Sequence, residues 1–388
     1  PSLFPSTPSE QAPDVIAYVD PKFKMPQVWR SNLNVDIQLP YDFMLSVGAM
    51  YTRDIYNVAQ INMNEAEPTG VYNEQPDRIY WASKKYEYND YTNGKNVVVK
   101  LSNGEDKGYQ YSFNAILTKK YDFGFTGSIG YTYTMAKDLT ANPGSAPNSA
   151  WQNNVAVNSL NDPGVSYSLF STPHRIIANA SYEINYAKCL KTTFSLFYSG
   201  YHTGRYSYTY YNDMNGDGNY SDLIYVPNSQ DEMTFVDITD KSGAITYSAV
   251  DQAKDFWDFV NNDSYLKDRK GKYVERNGSL TPWINRFDFK IAQDFYATLG
   301  GRKYGIQVSL DMLNVGNMIN SKWGAYQSCG LKSYDNVQLL KTASKVGEPL
   351  TYQINANSRE AFKERSSWQY TNTIGSAWSM QLGVKVTF

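Results

Sequence analysis

Apolar and polar residues alternate along several stretches of this chain. Leu33, Val35, Ile37 and Leu39 are interleaved with Asn34, Asp36 and Gln38, and after Pro40, Tyr41 and Asp42 the alternation resumes at Phe43, Leu45, Val47, Ala49 and Tyr51. A period of two marks a strand with one apolar and one polar face, because successive strand side chains point to opposite sides. The two runs therefore predict a hairpin with a very short connection. Tyr109 to Leu117 and Phe123 to Tyr133 predict a second across a turn at 118–122, and Ile176 to Tyr182 with Phe194 to Tyr198 a third across 185–191. Phe287, Phe289 and Ile291 with Ile306, Val308, Leu310 and Met312 predict a fourth, joined through Gly300 and Gly301. The final segment, Trp378 to Phe388, puts Trp378, Met380, Leu382, Val384, Val386 and Phe388 on one face and Ser379, Gln381, Gly383, Lys385 and Thr387 on the other.

Between these hairpins lie long polar stretches. Residues 57–107 and 137–171 are rich in Tyr, Asn and Gly and read as solvated loops. Residues 208–282 are too long to be structureless; Ser248 to Asp251 reads as a capping box opening a short helix through about Val260. Residues 315–374 form a further expected loop, with room for its own hairpin near Val337 to Ile354. Short turns at one end and long loops at the other distinguish outer-membrane barrels, and soluble sandwiches rarely segregate their loops so consistently.

Composition sharpens this reading. With 34 Tyr and 8 Trp the chain is aromatic, yet it is polar overall, at a mean hydropathy of -0.53. No stretch approaches the roughly 18 uninterrupted apolar residues of a membrane helix, but barrel strands meet lipid only at every second residue and escape that test. A formal net charge of -2 argues against nucleic acid as a partner. Cys189 and Cys329 are the two cysteines, too few for a disulfide framework or a zinc site; in a barrel they would sit at opposite ends and could not bond. His174 and His202 stand without a nucleophile elbow beside them, so the expectation is a protein that is not an enzyme.

Several segments resemble a known family, the TonB-dependent outer-membrane transporters, and within it the Oar-like branch. They are DPKFKMPQVWR at 20–30, WINRFDFKIAQDF at 283–295, VSLDMLNVGN at 308–317 and the closing WSMQLGVKVTF at 378–388. The resemblance implies an all-β fold: an antiparallel transmembrane β-barrel of the plugged type with about 22 strands. This chain would supply about the last nine, as the C-terminal portion of the barrel over residues 1–388. Residues 1–26, 208–282 and 315–374 would be extracellular, and the plug and the segment gripped by TonB would lie outside the chain. Its implied partners are outer-membrane lipid, the remaining strands and plug of the same barrel, and TonB through that plug. The implied function is energy-coupled uptake of a large peptide, glycan or chelate at the bacterial outer membrane. Two other classes stay open at this stage: an adhesin or passive pore whose loops bind a surface partner, and a soluble β-rich lectin-like protein.

The sharpest local motif is Asp213, Asn215, Asp217 and Asn219 with Gly216 and Gly218 between them, followed by Asp222. Oxygen side chains at positions one, three and five, with glycine at six, follow the EF-hand calcium loop, where the seventh residue offers its carbonyl. Position twelve is Ile224 rather than a bidentate Glu, so Asp222 or a later acid such as Asp231 would complete a Ca2+ site. The competing reading is an Asx-rich turn with no metal. Tyr206, Tyr208, Tyr210, Tyr211, Trp151 and Trp257 could stack on a ligand, or pack between loops. Arg30, Asp36, Arg53, Arg175, Glu183, Arg286, Asp288 and Lys290 are expected on the lumenal face.

Overall fold

A computed structural model of the chain describes residues 15–88, 97–220, 222–329, 332–333, 336–355 and 368–388. The expected loop segments 1–14, 89–96 and 356–367 lie outside the described residues. The chain is all-β, with mostly antiparallel strands and few helices. No helix among the described residues is long and apolar enough to cross a membrane.

Nine strands run along one antiparallel path in chain order: β1 (Gln27–Leu39), β2 (Phe43–Tyr56), β3 (Tyr109–Lys120), β4 (Phe125–Asp138), β5 (His174–Tyr186), β6 (Leu190–His202), β7 (Trp283–Leu299), β8 (Arg302–Leu313) and β9 (Ser379–Thr387). Each is where alternation predicts a strand, although several extend further than the apolar run itself. Ser166–Tyr167 adds a two-residue strand against the end of β4. The path has two edges, β1 and β9, which do not pair with each other among the described residues.

The register places apolar opposite apolar from edge to edge. Leu33 faces Ala49, which faces Phe113, which faces Tyr133. At the other edge Phe295 faces Ile306 and Ile306 faces Val386. A slip of one residue would turn every one of these side chains to the wrong face, so the alternation itself holds the register. The apolar face is open: Leu33 is 68 % exposed, Phe113 55 % and Leu382 72 %. A soluble sheet would bury that face, so its natural neighbour is hydrocarbon.

The short turns are fixed by residues with left-handed backbone. Gly300 and Gly301 have φ of 59° and 80° and join β7 to β8 in a two-residue connection. That is the mirror-image hairpin turn whose twist matches the strands, and it needs positive φ at both central positions. Tyr41 and Asp42 in the β1–β2 turn, and Ala187 and Lys188 in the β5–β6 turn, adopt positive φ without being glycine, while Gly124 does so in the β3–β4 turn.

The polar stretches are not solvated loops. They pack into a head with its own hydrophobic core, including Tyr72, Val155, Tyr208, Met214, Phe256 and Leu339, drawn from four separate loops. A second cluster joins Tyr86, Val97, Val99, Trp151, Ala156 and Leu160. Residues 15–19, expected in an open loop, form a strand parallel to Val97–Ser102, which also pairs with Ala59–Asn62. The expected helix appears as α2 (Ala249–Asn262), after the shorter α1 (Pro147–Gln152) and before α3 (Val315–Ile319), so the loops carry three α-helices among the described residues rather than one. Ser248 caps α2 by accepting from the Asp251 amide at 3.1 Å. The hairpin near Val337 to Ile354 is present as Asn336–Thr342 against Tyr352–Ile354.

The strands of the head are too short to show in the sequence pattern. Most strands of the head are two to seven residues long, too short for alternation to register, and their partners are remote: Ser207 lies beside Asn336 in a parallel pair.

Candidate functional site

The Asp213 to Asp222 loop sits inside this head, and its glycines are required where they stand. Gly216 has φ of 82°, and a Cβ there would lie 2.5 Å from the Trp81 carbonyl oxygen. Gly218 has φ of 92° and packs on the Lys85 side chain. Around these turns the backbone amides donate inward. Asp213 accepts from the Gly216 amide at 2.8 Å and the Gly218 amide at 2.9 Å; Asn215 accepts from Asp217 at 3.0 Å, and Asp217 from Asn219 at 2.7 Å. Asp222 closes the loop by accepting from the Met214 amide at 3.1 Å.

Asn215, Asp217, Asn219 and Asp222 are buried and Asp213 is half-buried. Burial makes carboxylates costly, and here they also repel one another. Burial pushes Asp217 well above the usual carboxylate range, and the charges of Asp222 and Asp213 push it further. Burial likewise raises Asp213, against the amides that hold its charged form. Asp222 is driven by burial up to about 7, although the Arg78 guanidinium beside it pulls the other way. Glu65, from an earlier loop, belongs to the same field; it accepts from Ser159 at 2.6 Å and from Asn161 at 2.9 Å, and burial raises it too. Nothing in its local sequence marks Glu65, because its neighbours here are about 95 residues and more away.

Arg78 is the second group that sequence reading missed. It is fully buried. Its guanidinium donates to Gln75 Oε1 at 3.1 Å and to the carbonyls of Val157 and Leu223, and lies 3.5 Å from Asp222. The Tyr273 ring covers it at 4.7 Å. One side chain thus ties three loops together.

The oxygen donors suit a hard cation such as Ca2+ in type, since such ions take carboxylates, amide oxygens and carbonyls. Among the described residues, however, no three His, Cys, Asp or Glu side chains converge closely enough to hold a metal by themselves. A metal here would therefore depend on oxygens beyond the carboxylates, such as Asn215 Oδ1, which accepts from the Asp217 amide at 3.0 Å. Asp222 is shared with Arg78, and Asp231 is exposed in a separate turn. The Asn219 Nδ2 is buried with no hydrogen-bond partner.

The loop aromatics pack between loops. Tyr208 donates to Asp263 at 2.7 Å, and Gln75 donates to both Tyr210 and Tyr352, at 2.9 and 2.8 Å. Tyr206 and Trp151 are buried as well, the latter donating to Asn161 at 3.0 Å. Trp257 is half-buried under Lys270, and Tyr211 alone of the six is exposed.

On the polar face of the sheet most charges pair. Lys290 meets Asp311 at 2.8 Å, Lys191 bridges Glu183 and Asp294 at 3.5 Å each, and Arg286 lies 3.6 Å from Asp288. Arg53 departs from the lumenal expectation. It faces Trp29 and Tyr109 in register, and strict alternation through Tyr51 and Ala49 puts it on the apolar face. Cys189 is exposed at the β5–β6 turn, Cys329 is buried, and the two are not bonded.

A family model described as an outer membrane beta barrel domain matches residues 1–324. No curated protein and no solved structure matches the chain.

Proposed function

The chain belongs to the outer membrane β-barrel domain family and resides in the bacterial outer membrane, and from that premise we propose that it is part of a receptor and transporter for TonB-coupled uptake of a large substrate. The observation that carries this reading is the division of the molecule into two storeys. An amphipathic sheet with an open apolar face supports a head folded from four long loops. A passive pore needs no such head, whereas a receptor gains from a preorganised surface above its strands.

In this reading the unpaired edges of β1 and β9 continue into further strands of the same barrel, of the plugged type with about 22 strands, because unpaired backbone groups facing lipid cost several kcal/mol each. The short turns face the periplasm and the head faces outward. The charges on the polar face line the lumen, where they meet each other and the plug. The likeness of residues 20–30, 283–295, 308–317 and 378–388 to TonB-dependent transporters supports energy coupling; the substrate is a peptide, glycan or chelate, and no catalysis is involved.

The test is conductance and coupling in the full-length protein. A plugged transporter is silent in planar bilayers and binds the periplasmic domain of TonB. Steady conductance without TonB identifies a passive pore, and a silent protein that does not bind TonB identifies an adhesin. Orientation has its own readout in Cys189. An impermeant maleimide should leave it unlabelled on intact cells and label it after lysis; labelling on intact cells would invert the topology.

The calcium reading is part of the same proposal. Asp213, Asn215, Asp217, Asn219 and Asp222 would hold Ca2+, which relieves the repulsion among buried acids and braces the head. Saturating calcium should raise the thermal midpoint of the head, by about 2.7 kcal/mol of added stability at a hundred times Kd, and Asp217→Asn should remove that response. An unchanged midpoint with and without chelator would leave the Asx-rich turn as the right description.

A further inference from the structure

Beside the Asp213 to Asp222 loop, the head holds a cleft of about 750 Å³. One wall is residues 157–166 of the β4–β5 connection, and the other is residues 269–276 of the β6–β7 connection. The walls are clamped to each other: Arg276 donates to the Gly164 carbonyl at 3.3 Å, and Ser166 donates to the Arg276 carbonyl at 2.9 Å. The gap is thus set before any ligand arrives, and its volume lies within the roughly 300–1,000 Å³ of small-molecule sites. Its apolar lining is aliphatic, from Ile79, Val157, Val165, Leu223 and Val274. The aromatic ring in the lining, Tyr273, is already engaged. Arg78 covers it at 4.7 Å, Tyr225 meets it edge-on at 5.4 Å, and its hydroxyl donates to the Pro76 carbonyl at 2.7 Å.

Five charged side chains line the cleft, and three of them are committed to the fold. Arg276 is buried and donates to the carbonyls of Asp138, Leu139 and Gly164. Arg269 lies 3.3 Å from Glu275, and Lys137 holds the same carboxylate from 3.8 Å. Lys272 on one wall and Asp162 on the other are left over. Both are exposed, and neither side chain enters a hydrogen bond or an ion pair among the described residues. A free cation and a free carboxylate on opposite walls, over an aliphatic lining, complement a molecule with an anion, an ammonium and an apolar side chain. A peptide with free ends carries all three. Sugars dock on open aromatic faces, and this lining offers none.

We propose that this cleft binds a short peptide with free ends, its C-terminal carboxylate on Lys272, its N-terminal ammonium on Asp162 and an aliphatic side chain against the apolar lining. The inference rests on the reading of the head as a receptor surface, and it selects the peptide from the substrates named for that receptor. It gives Lys272 and Asp162, about 110 residues apart in the chain, a joint role that neither suggests alone.

The experiment is titration calorimetry of the full-length protein in a non-ionic detergent with four probes: alanyl-alanyl-leucine, its C-terminal amide, its N-acetyl derivative, and a disaccharide ending in a uronic acid. Wild type should bind the free tripeptide about tenfold more tightly than either blocked form, the scale of one charge-assisted hydrogen bond. Lys272→Gln should make acid and amide bind alike while the acetyl penalty stays. Asp162→Asn should do the converse. Both side chains are exposed, and each ratio is measured within one variant, so a partial loss of folded protein cancels from it. Lys254→Gln, an exposed position of α2 outside the lining, should keep both wild-type ratios. The proposal is overturned by a free tripeptide that does not bind, by blocked forms that bind as tightly, by either cleft variant keeping the ratio it should lose, or by Lys254→Gln acting like Lys272→Gln. A uronate that binds more tightly than the tripeptide, with the same dependence on Lys272, would overturn it in favour of an acidic glycan. Conductance and TonB binding report separately: a silent, TonB-binding protein that ignores the tripeptide loses this proposal alone, and a conducting one that binds it loses only the coupled-uptake reading.

Discussion

Replacing Arg78 by methionine removes the most connected side chain of the head while roughly keeping its volume. Asp222 then stays buried without the guanidinium 3.5 Å away, and the carbonyls of Val157 and Leu223 lose their donor. Breaking a buried ion pair from one side costs about 3–5 kcal/mol, and each orphaned buried acceptor about 1–3 kcal/mol. The terms do not add fully, because the carboxyl can escape by taking a proton. Burial already raises Asp222 to about 7 with Arg78 present, so losing the guanidinium raises it further. A carboxyl raised in the folded state contributes stability below its unfolded pKa that is lost as pH rises through the folded value. The cost of the substitution should therefore be smaller at pH 6 and larger at pH 8, with about 4 kcal/mol expected at pH 8. The assay is denaturant unfolding of the protein in detergent with chelator present, followed through the fluorescence of the buried Trp81 and Trp151. Asp222→Asn on top of Arg78→Met should restore at least about 2 kcal/mol, since the stranded charge is gone. A single-variant cost under about 1 kcal/mol, or a double variant no better than the single, would refute the argument that this pair holds the loops together.

The buried tyrosines predict alkaline sensitivity. Tyr206 is pushed by burial up to about 12 and Tyr208 also lies well above its ordinary value; each such group contributes stability that is whole below pH 10 and lost as pH rises toward its folded pKa, about 3 kcal/mol for Tyr206. Absorbance titration should show a class of buried tyrosines that ionises only together with unfolding of the head, and ionisation of all tyrosines near pH 10 with the fold intact would contradict it. At the β7–β8 turn, a Cβ on Gly300 would meet no atom within 4 Å, so Gly300→Ala should cost only its backbone strain, about 1–2 kcal/mol, and Gly300→Asn much less; a shifted denaturation midpoint for the alanine variant alone is the expected record. Ser248→Ala, which removes the cap of α2, should lower head stability by about 1 kcal/mol, read as faster proteolysis within residues 249–262.

The strands of the sheet were legible because each is long enough for period two to repeat several times, and because a tight turn fixes which residue faces which. The Asp213 to Asp222 loop was legible as a motif because its ligand-type residues and glycines are consecutive in the chain. Its surroundings were not. Glu65, Lys85 and Arg78 reach the loop from distant segments, and no local pattern distinguishes them from the other charged residues of a polar stretch.

By itself, then, the sequence determined a set of amphipathic antiparallel strands with short turns at one end, and with that the apolar face that marks an outer-membrane chain. A face is a local property, set by the geometry of successive Cβ atoms. Only the tertiary structure decided that the tyrosine-rich loops bury a core, because burial depends on which segments meet, and Arg78 meets carbonyls 79 and 145 residues away. Arg53 shows both halves. As a charge it was expected in the lumen, and the register opposite Trp29 and Tyr109 put it on the apolar face instead.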